Sequence, residues 1–157
     1  MAVSAHKFRA VMRNYATGVT VVTTRDPEGS PYGATVNAFT SLSIDPLLVL
    51  VCLDRNLSGL NLFQQFGRMG INILAEGQEE ASVFFSQPNT NRARFDYVQG
   101  NGGLPLLADC LARLECDIVE SYPGGDHEIL VGRVTGAVLC SDRKPLVYYA
   151  GGYARIE

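Results

Sequence analysis

The chain has 157 residues, 46% of them hydrophobic and 18% charged, with a formal net charge of −3. This length fits one domain over residues 1–157, and such a domain buries roughly 68–70% of its unfolded surface without covalent staples. The composition excludes intrinsic disorder, and the slight acidity excludes a broad electrostatic grip on nucleic acid or anionic lipid.

In chain order, Ser4 is placed to cap a first helix, with Phe8, Val11, Met12 and Tyr15 at helical spacing and Lys7, Arg9 and Arg13 turned outward. Gly18 closes that helix. Val19 to Thr24 is β-branched almost throughout and reads as a strand, and Asp26-Pro27-Glu28-Gly29-Ser30-Pro31 is a turn cluster. The return strand of the hairpin is then Ala34 to Ser43, "ATVNAFTSLS". Asp45-Pro46 punctuates. Leu47 to Leu53 is an unbroken apolar run, the pattern of a strand buried on both faces. A helix is expected over Ser58 to Phe66 with Leu62, Phe63 and Phe66 as its buried stripe, a strand over Gly70 to Ala75, and a short helix over Glu76 to Phe85. Gln87 to Gly103 reads as a long loop. Three more strands follow, over Cys110 to Glu120, His127 to Cys140 and Leu146 to Ile156, with Gly124-Gly125-Asp126 turning between the first two. About six or seven strands joined by short turns, with two or three helices, favour an antiparallel barrel over a doubly wound sheet.

The usual reaction machinery is sparse. There is no GxGxxG after a strand, no GxxxxGK[ST], no GxSxG and no HExxH. Cys52, Cys110, Cys116 and Cys140 form no CxxC pair and no Cys/His cluster, so no metal site is expected and reduced thiols are the simplest reading. No apolar run approaches the ~20 residues of a membrane span. The N-terminus lacks the apolar centre of a signal peptide, and a cytoplasmic location is expected.

A chain poor in catalytic side chains but rich in small polar groups around one strand suggests a borrowed cofactor. A flavin suits "ATVNAFTSLS". Ala34 and Ala38 let a flat ring approach the backbone, Asn37 offers a donor and an acceptor, and Thr40, Ser41 and Ser43 offer hydroxyls to ribityl or phosphate oxygens. An ordinary half-exposed strand explains the same residues. Arg92 and Arg94 read either as a phosphate clamp or as solvated loop. Cys52 reads as packing at a strand end, and Tyr148, Tyr149 and Tyr153 as ring-stacking residues or aromatic core. His127, on spacing alone, is a hairpin-edge histidine satisfied by Asp126 or water.

The segments "FRAVMRNYATGVTVVTT", "ATVNAFTSLSIDPLLVLVCLDR", "INILAEGQ", "LECDIVESYPGGDHEILVGRV" and "PLVYYAGGY" together resemble the flavin reductase family of two-component flavin-dependent monooxygenases. The resemblance runs in order from about Phe8 to Tyr153. It implies a mainly β fold, the FMN-binding split barrel, and an enzyme that uses NADH or NADPH to reduce FMN or FAD and hands the reduced flavin to a separate monooxygenase. It implies a homodimer with the site near the subunit interface. Thr35, Val36, Asn37 and Ala38 would line the isoalloxazine. Ser41 and the stretch Cys52-Leu53-Asp54-Arg55 with the helix start that follows would lie toward ribityl and phosphate. His127, in "GDHEILVG", would orient the nicotinamide or bond the flavin. Two departures stand out. Leu57 and Gly59 occupy positions where the family often has hydroxyls, leaving Ser58 or helix-terminal amides for the phosphate. Ala150 and Gly152 stand where many members have basic residues. A flavin-binding protein without nicotinamide turnover, or an oxidase with its own organic substrate, remain the alternatives.

Overall fold

The computed structural model describes residues 1–88 and 92–157, without the Arg92 side chain. Ser4 caps α1 (Ala5–Met12), its hydroxyl accepting the Lys7 N–H at 3.1 Å. The helix ends at Met12, well before Gly18, because Thr17–Gly18 (β1) extends and pairs with Val147–Tyr149 (β11). No α1 residue is buried, and Phe8, Val11 and Tyr15 are exposed.

Thr20–Arg25 (β2) and Pro31–Val36 (β3) form a hairpin. Its turn, at the expected cluster, is held by the Asp26 side chain, which accepts the Ser30 N–H at 2.8 Å. Phe39–Ile44 (β4) pairs with Leu47–Asp54 (β5). Arg68–Ile73 (β6), Ala112–Gly124 (β9) and His127–Leu139 (β10) complete a seven-stranded antiparallel sheet in the order β3-β2-β6-β9-β10-β5-β4. The strands at its two ends, β3 and β4, are consecutive in the chain and joined only by Asn37 and Ala38. The sheet therefore curls until its two unpaired end strands are linked through those two residues, and the Cys52 N–H donates to the Ala38 carbonyl at 3.0 Å, extending the β4–β5 ladder. The expected single return strand over 34–43 is thus two strands on opposite sides of a split. Tertiary closure imposes that break, since the residues on both sides are equally suited to extended backbone.

Inside the curl lie Val22, Val36, Val51, Leu53, Phe63, Met69, Ile71 and Leu130. A second apolar cluster, with Val19, Val21, Leu74, Phe84, Phe85 and Leu146, packs Glu79–Phe85 (α3) against the outside of β2. Burial on both faces therefore falls on β2, and on Met69 to Asn72 of β6, not on the expected 47–53 run. In β5, Val49, Val51 and Leu53 are buried while Leu48, Leu50 and Cys52 are half-exposed, because no element among the described residues covers the outer face. Leu60–Phe66 (α2) plugs one end of the curl through Phe63 and ends at Gly67, whose φ of 72° suits a left-handed cap.

Two further expectations are corrected. The 87–103 segment holds a short 3-10 turn at Arg92–Arg94 and a strand, Tyr97–Gln99 (β7), paired with Pro105–Leu107 (β8). The 146–156 strand is a tight hairpin of β11 with Gly152–Ala154 (β12), turned at Ala150 and Gly151, both at positive φ.

Candidate functional site

Three cavities meet at the Asn37–Ala38 join. Both residues line each of them. The first, of about 580 Å³, runs between β3, the end of β5, the turn before α2 and the end of α3. Its wall includes Gly33, Ala34, Thr35 and Val36 on one side, and Cys52, Leu53, Asp54, Asn56, Leu57 and Ser58 on another. Phe85, Ser86, Gln87 and Pro88 close a third side, and His127 stands at the rim. The volume is in the range of small-molecule and cofactor sites. The second cavity, about 650 Å³, adds Tyr15, Thr17, Gly18, Thr40, Leu50 and Ile73. The third, about 520 Å³, is walled by Arg9, Met12, Arg13, Tyr15, Tyr148 and Tyr149.

The wall owes its shape to small residues and fixed turns. The Asp54 carboxylate accepts the Asn56 N–H at 2.8 Å and so holds the turn below Ser58. Gly59 is buried, and a Cβ there would fall 2.3 Å from the Tyr32 ring. The hydroxyl-bearing residue expected at this position is excluded by that packing, and Ser58, one residue earlier, faces the cavity instead. Thr35 is tied outward, its hydroxyl donating to the Ser82 carbonyl at 2.6 Å, while Ser82 Oγ accepts from Tyr153 at 2.7 Å. Val36 is largely core, at 6% exposure. The Asn37 side chain, by contrast, has no hydrogen-bond partner among the described residues, so its donor and acceptor face the cavities.

His127 begins β10 opposite Asp54 of β5, and its Nδ1 lies 2.7 Å from Asp126 Oδ1. An ionised carboxylate only accepts, so Nδ1 carries the hydrogen of this bond. The same bond holds the Asp126 carboxyl below the usual carboxylate range. The ring is satisfied by Asp126, as a hairpin-edge histidine would be, and it also stands at the rim of the first cavity.

The residues expected from sequence divide clearly. Thr35, Val36, Asn37, Ala38, Cys52, Leu53, Asp54, Ser58 and His127 gather around the first cavity. Thr40 lies in the second and Tyr149 in the third. Ser41 lines none of the three; it is exposed on β4 beside a register shift, and its carbonyl accepts the Thr40 hydroxyl. Arg94 pairs with Glu80 of α3 and lies over the Phe84 ring, so its guanidinium is engaged away from the cavity. The Arg92 side chain lies outside the described residues. Sequence reasoning missed Arg9 and Arg13, which read as the outward face of the first helix, Tyr15, which read as part of its apolar spacing, and Thr17 just before Gly18. It also missed Phe85 and Gln87, since only the packing of α3 on β2 and β3 brings them to the wall. The Thr17 hydroxyl oxygen is enclosed and unpartnered among the described residues, at the border of the second and third cavities.

Residues 12–157 match the flavin reductase like domain model. A probable flavin reductase of Rhizobium meliloti is 43% identical over 140 residues, 88% of this chain; the chain spans 45% of that relative's length. The reductase subunit HsaB of a flavin-dependent monooxygenase from Rhodococcus jostii is 32% identical over 157 residues, covering 99% of this chain and 80% of HsaB. Among solved structures, the NADH:FAD oxidoreductase SgcE6 of Streptomyces globisporus, in complex with NAD and FAD fragments, superposes with a TM-score of 0.91 at 33% identity, over 100% of this chain and 97% of that one.

Proposed function

Because the chain belongs to the flavin reductase like domain family, we propose that it is an NAD(P)H-dependent flavin reductase that reduces FMN or FAD and supplies the reduced flavin to a separate monooxygenase. The observation that carries this reading is the cavity at the split of the sheet, walled by small residues and an unpartnered amide. The donor set fits a flavin. Gly33, Ala34 and Ala38 leave room for a flat ring against the backbone, and Asn37 supplies both a donor and an acceptor to its polar edge. Ser58, Ser86 and Gln87 supply polar groups at the far side of the same cavity. When bound, the flavin supplies a ring that accepts a hydride from a nicotinamide. The chain's part is to bind, align and shield. Phe85 and Pro88 exclude water from one side. His127, its ring fixed by Asp126, positions the hydride donor at the rim. The third cavity, with Arg9 and Arg13 at its wall, offers positive charge to nucleotide phosphates.

Residues 1–157 form one domain in this reading, since β2 contributes Val22 to one apolar cluster and Val21 to the other. The exposed apolar residues Phe8, Val11, Tyr15, Leu42, Ile44 and Leu47 support a symmetric homodimer that covers α1 and the β4–β5 hairpin. No helix among the described residues is long and apolar enough to cross a membrane. Use of nicotinamide nucleotides and four free cysteines favour the cytoplasm.

The test is steady-state NADH and NADPH oxidation with FMN, FAD and riboflavin in turn. Turnover that depends on added flavin is expected. Flavin binding without nicotinamide oxidation would leave a flavin carrier instead, and turnover only with an added organic substrate would indicate an oxidase. Light scattering at micromolar concentration tests the dimer; a fully active monomer would refute it.

A further inference from the structure

Outside the cavities, two cysteines meet. Cys110 follows β8 and is 1% exposed, while Cys140 follows β10 and is partly exposed. They are 30 residues apart, yet their sulfurs lie 3.7 Å from each other. Two restraints hold the segments together there. The Cys140 and Ser141 N–H groups both donate to the Leu111 carbonyl, at 2.9 and 3.3 Å, and Arg143 pairs with Asp109. Cys52 and Cys116 have no sulfur partner. A disulfide needs its sulfurs at about 2.05 Å, so closing the 3.7 Å contact requires the two side chains to turn toward each other.

We propose that Cys110 and Cys140 form an oxidisable dithiol, a redox site separate from the flavin cavity, which closes to an intramolecular disulfide under hydrogen peroxide. Cys140 is the accessible partner and reacts first. Its thiolate attacks one peroxide oxygen, the S–O bond forms, the O–O bond breaks, and the leaving hydroxide takes a proton to become water. Cys140 is then a sulfenic acid. The Cys110 sulfur attacks the Cys140 sulfur, the S–S bond forms, the S–O bond breaks, and the departing hydroxide leaves as water with the Cys110 proton. Two thiols lose two electrons and one peroxide is reduced to two waters. Burial and the contact with Cys140 push the Cys110 thiol up to about 12, so closure should speed up at higher pH. Reduced flavin released into air generates peroxide. That source of oxidant rests on the reductase reading; the thiol geometry does not.

The experiment treats the reduced, flavin-free protein with hydrogen peroxide alone. The expected result is a mass lower by about 2 Da, a peptide map that joins Cys110 to Cys140, and recovery of all four thiols with dithiothreitol. The map on the unmodified protein decides the matter even if Cys140→Ser, which should abolish the bridge, fails to fold. Four thiols still titrating after peroxide, or a bridge joining other cysteines or two chains, would overturn the proposal. In a second arm, NADH with FMN in air replaces peroxide, with and without catalase. Bridging with peroxide but not in this arm would remove the flavin as oxidant source and leave the dithiol standing.

Discussion

Asn72, in the middle of β6, and Asn37, at the join between β3 and β4, carry the same amide into opposite surroundings. Asn72 is fully buried. Its nitrogen donates to the Val21 carbonyl at 2.8 Å and to Thr23 Oγ1 at 3.1 Å, and its oxygen accepts the Leu107 N–H at 2.8 Å. It ties β6 to β2 and to the β7–β8 hairpin, and nothing is left over for a ligand. Asn37 is exposed, has no side-chain partner among the described residues and lines all three cavities. An amide whose valences are filled by the fold is a structural part; one left unfilled at the wall of a cavity is available to bind. The difference lies in whether a neighbouring strand supplies backbone groups at that point. Around the Asn37 side chain none does among the described residues, although the neighbouring Ala38 carbonyl still accepts the Cys52 N–H.

The largest expected effect comes from emptying the saturated site. Asn72→Leu leaves the Leu107 N–H, the Val21 carbonyl and the Thr23 hydroxyl buried without this partner, and should cost about 3–5 kcal/mol of stability. Chemical denaturation measures it. A loss under 1 kcal/mol would mean that the buried network has other partners.

Asn37→Leu is the counterpart and should behave in the reverse manner. Flavin affinity is expected to fall by about 1–3 kcal/mol, roughly 5- to 150-fold, while stability stays nearly unchanged. Fluorescence titration beside thermal melts reads both. Unchanged affinity in the folded variant would make Asn37 merely a surface residue.

His127→Ala comes next, because it acts on alignment and not on the main binding wall. Reduction by NAD(P)H should slow about 5- to 150-fold in kcat/KM, with flavin affinity almost intact. Anaerobic stopped-flow reduction together with flavin titration separates the two quantities. A drop in flavin affinity with normal reduction of bound flavin would assign His127 to the flavin instead.

The smallest effect belongs to Asp126. Its carboxyl titrates below the ordinary range because of the bond to the His127 ring. Such a depressed group contributes stability at pH above the ordinary carboxylate range, and the contribution is lost as pH falls through its lowered value. The carboxylate is fully exposed, so the effect is slight. The difference in melting temperature between the wild type and Asp126→Asn should therefore shrink toward zero on acidification. A difference that grows at low pH would contradict this assignment.

The local parts of the molecule were legible in the residues themselves. Ser4 caps α1, Asp26 closes the first turn, and Gly124 to Asp126 turns β9 into β10, because each depends on contacts within a few positions along the chain. The antiparallel architecture followed from such turns. Burial was harder to foresee. An apolar run such as Leu47 to Leu53 has the same pattern whether one face or two are covered, and the cover for β2 comes from α3, about 60 residues later in the chain as the range of their positions shows.

The sequence by itself determined the chemistry on offer: a small-residue strand with one amide, no metal cluster motif, a histidine after a glycine turn, and a set of segments that resemble one family. Only the tertiary structure decided where those groups stand. Closure of the sheet splits 34–43 at Asn37 and Ala38 and opens the cavities there. Pairing with Glu80 takes Arg94 away from the wall, while the early end of α1 brings Arg9 and Arg13 to it. The physical reason is that hydrogen bonds in caps and turns are satisfied locally, whereas the curl of a sheet that buries one face and leaves its end strands unpaired settles which polar groups find partners and which stay free.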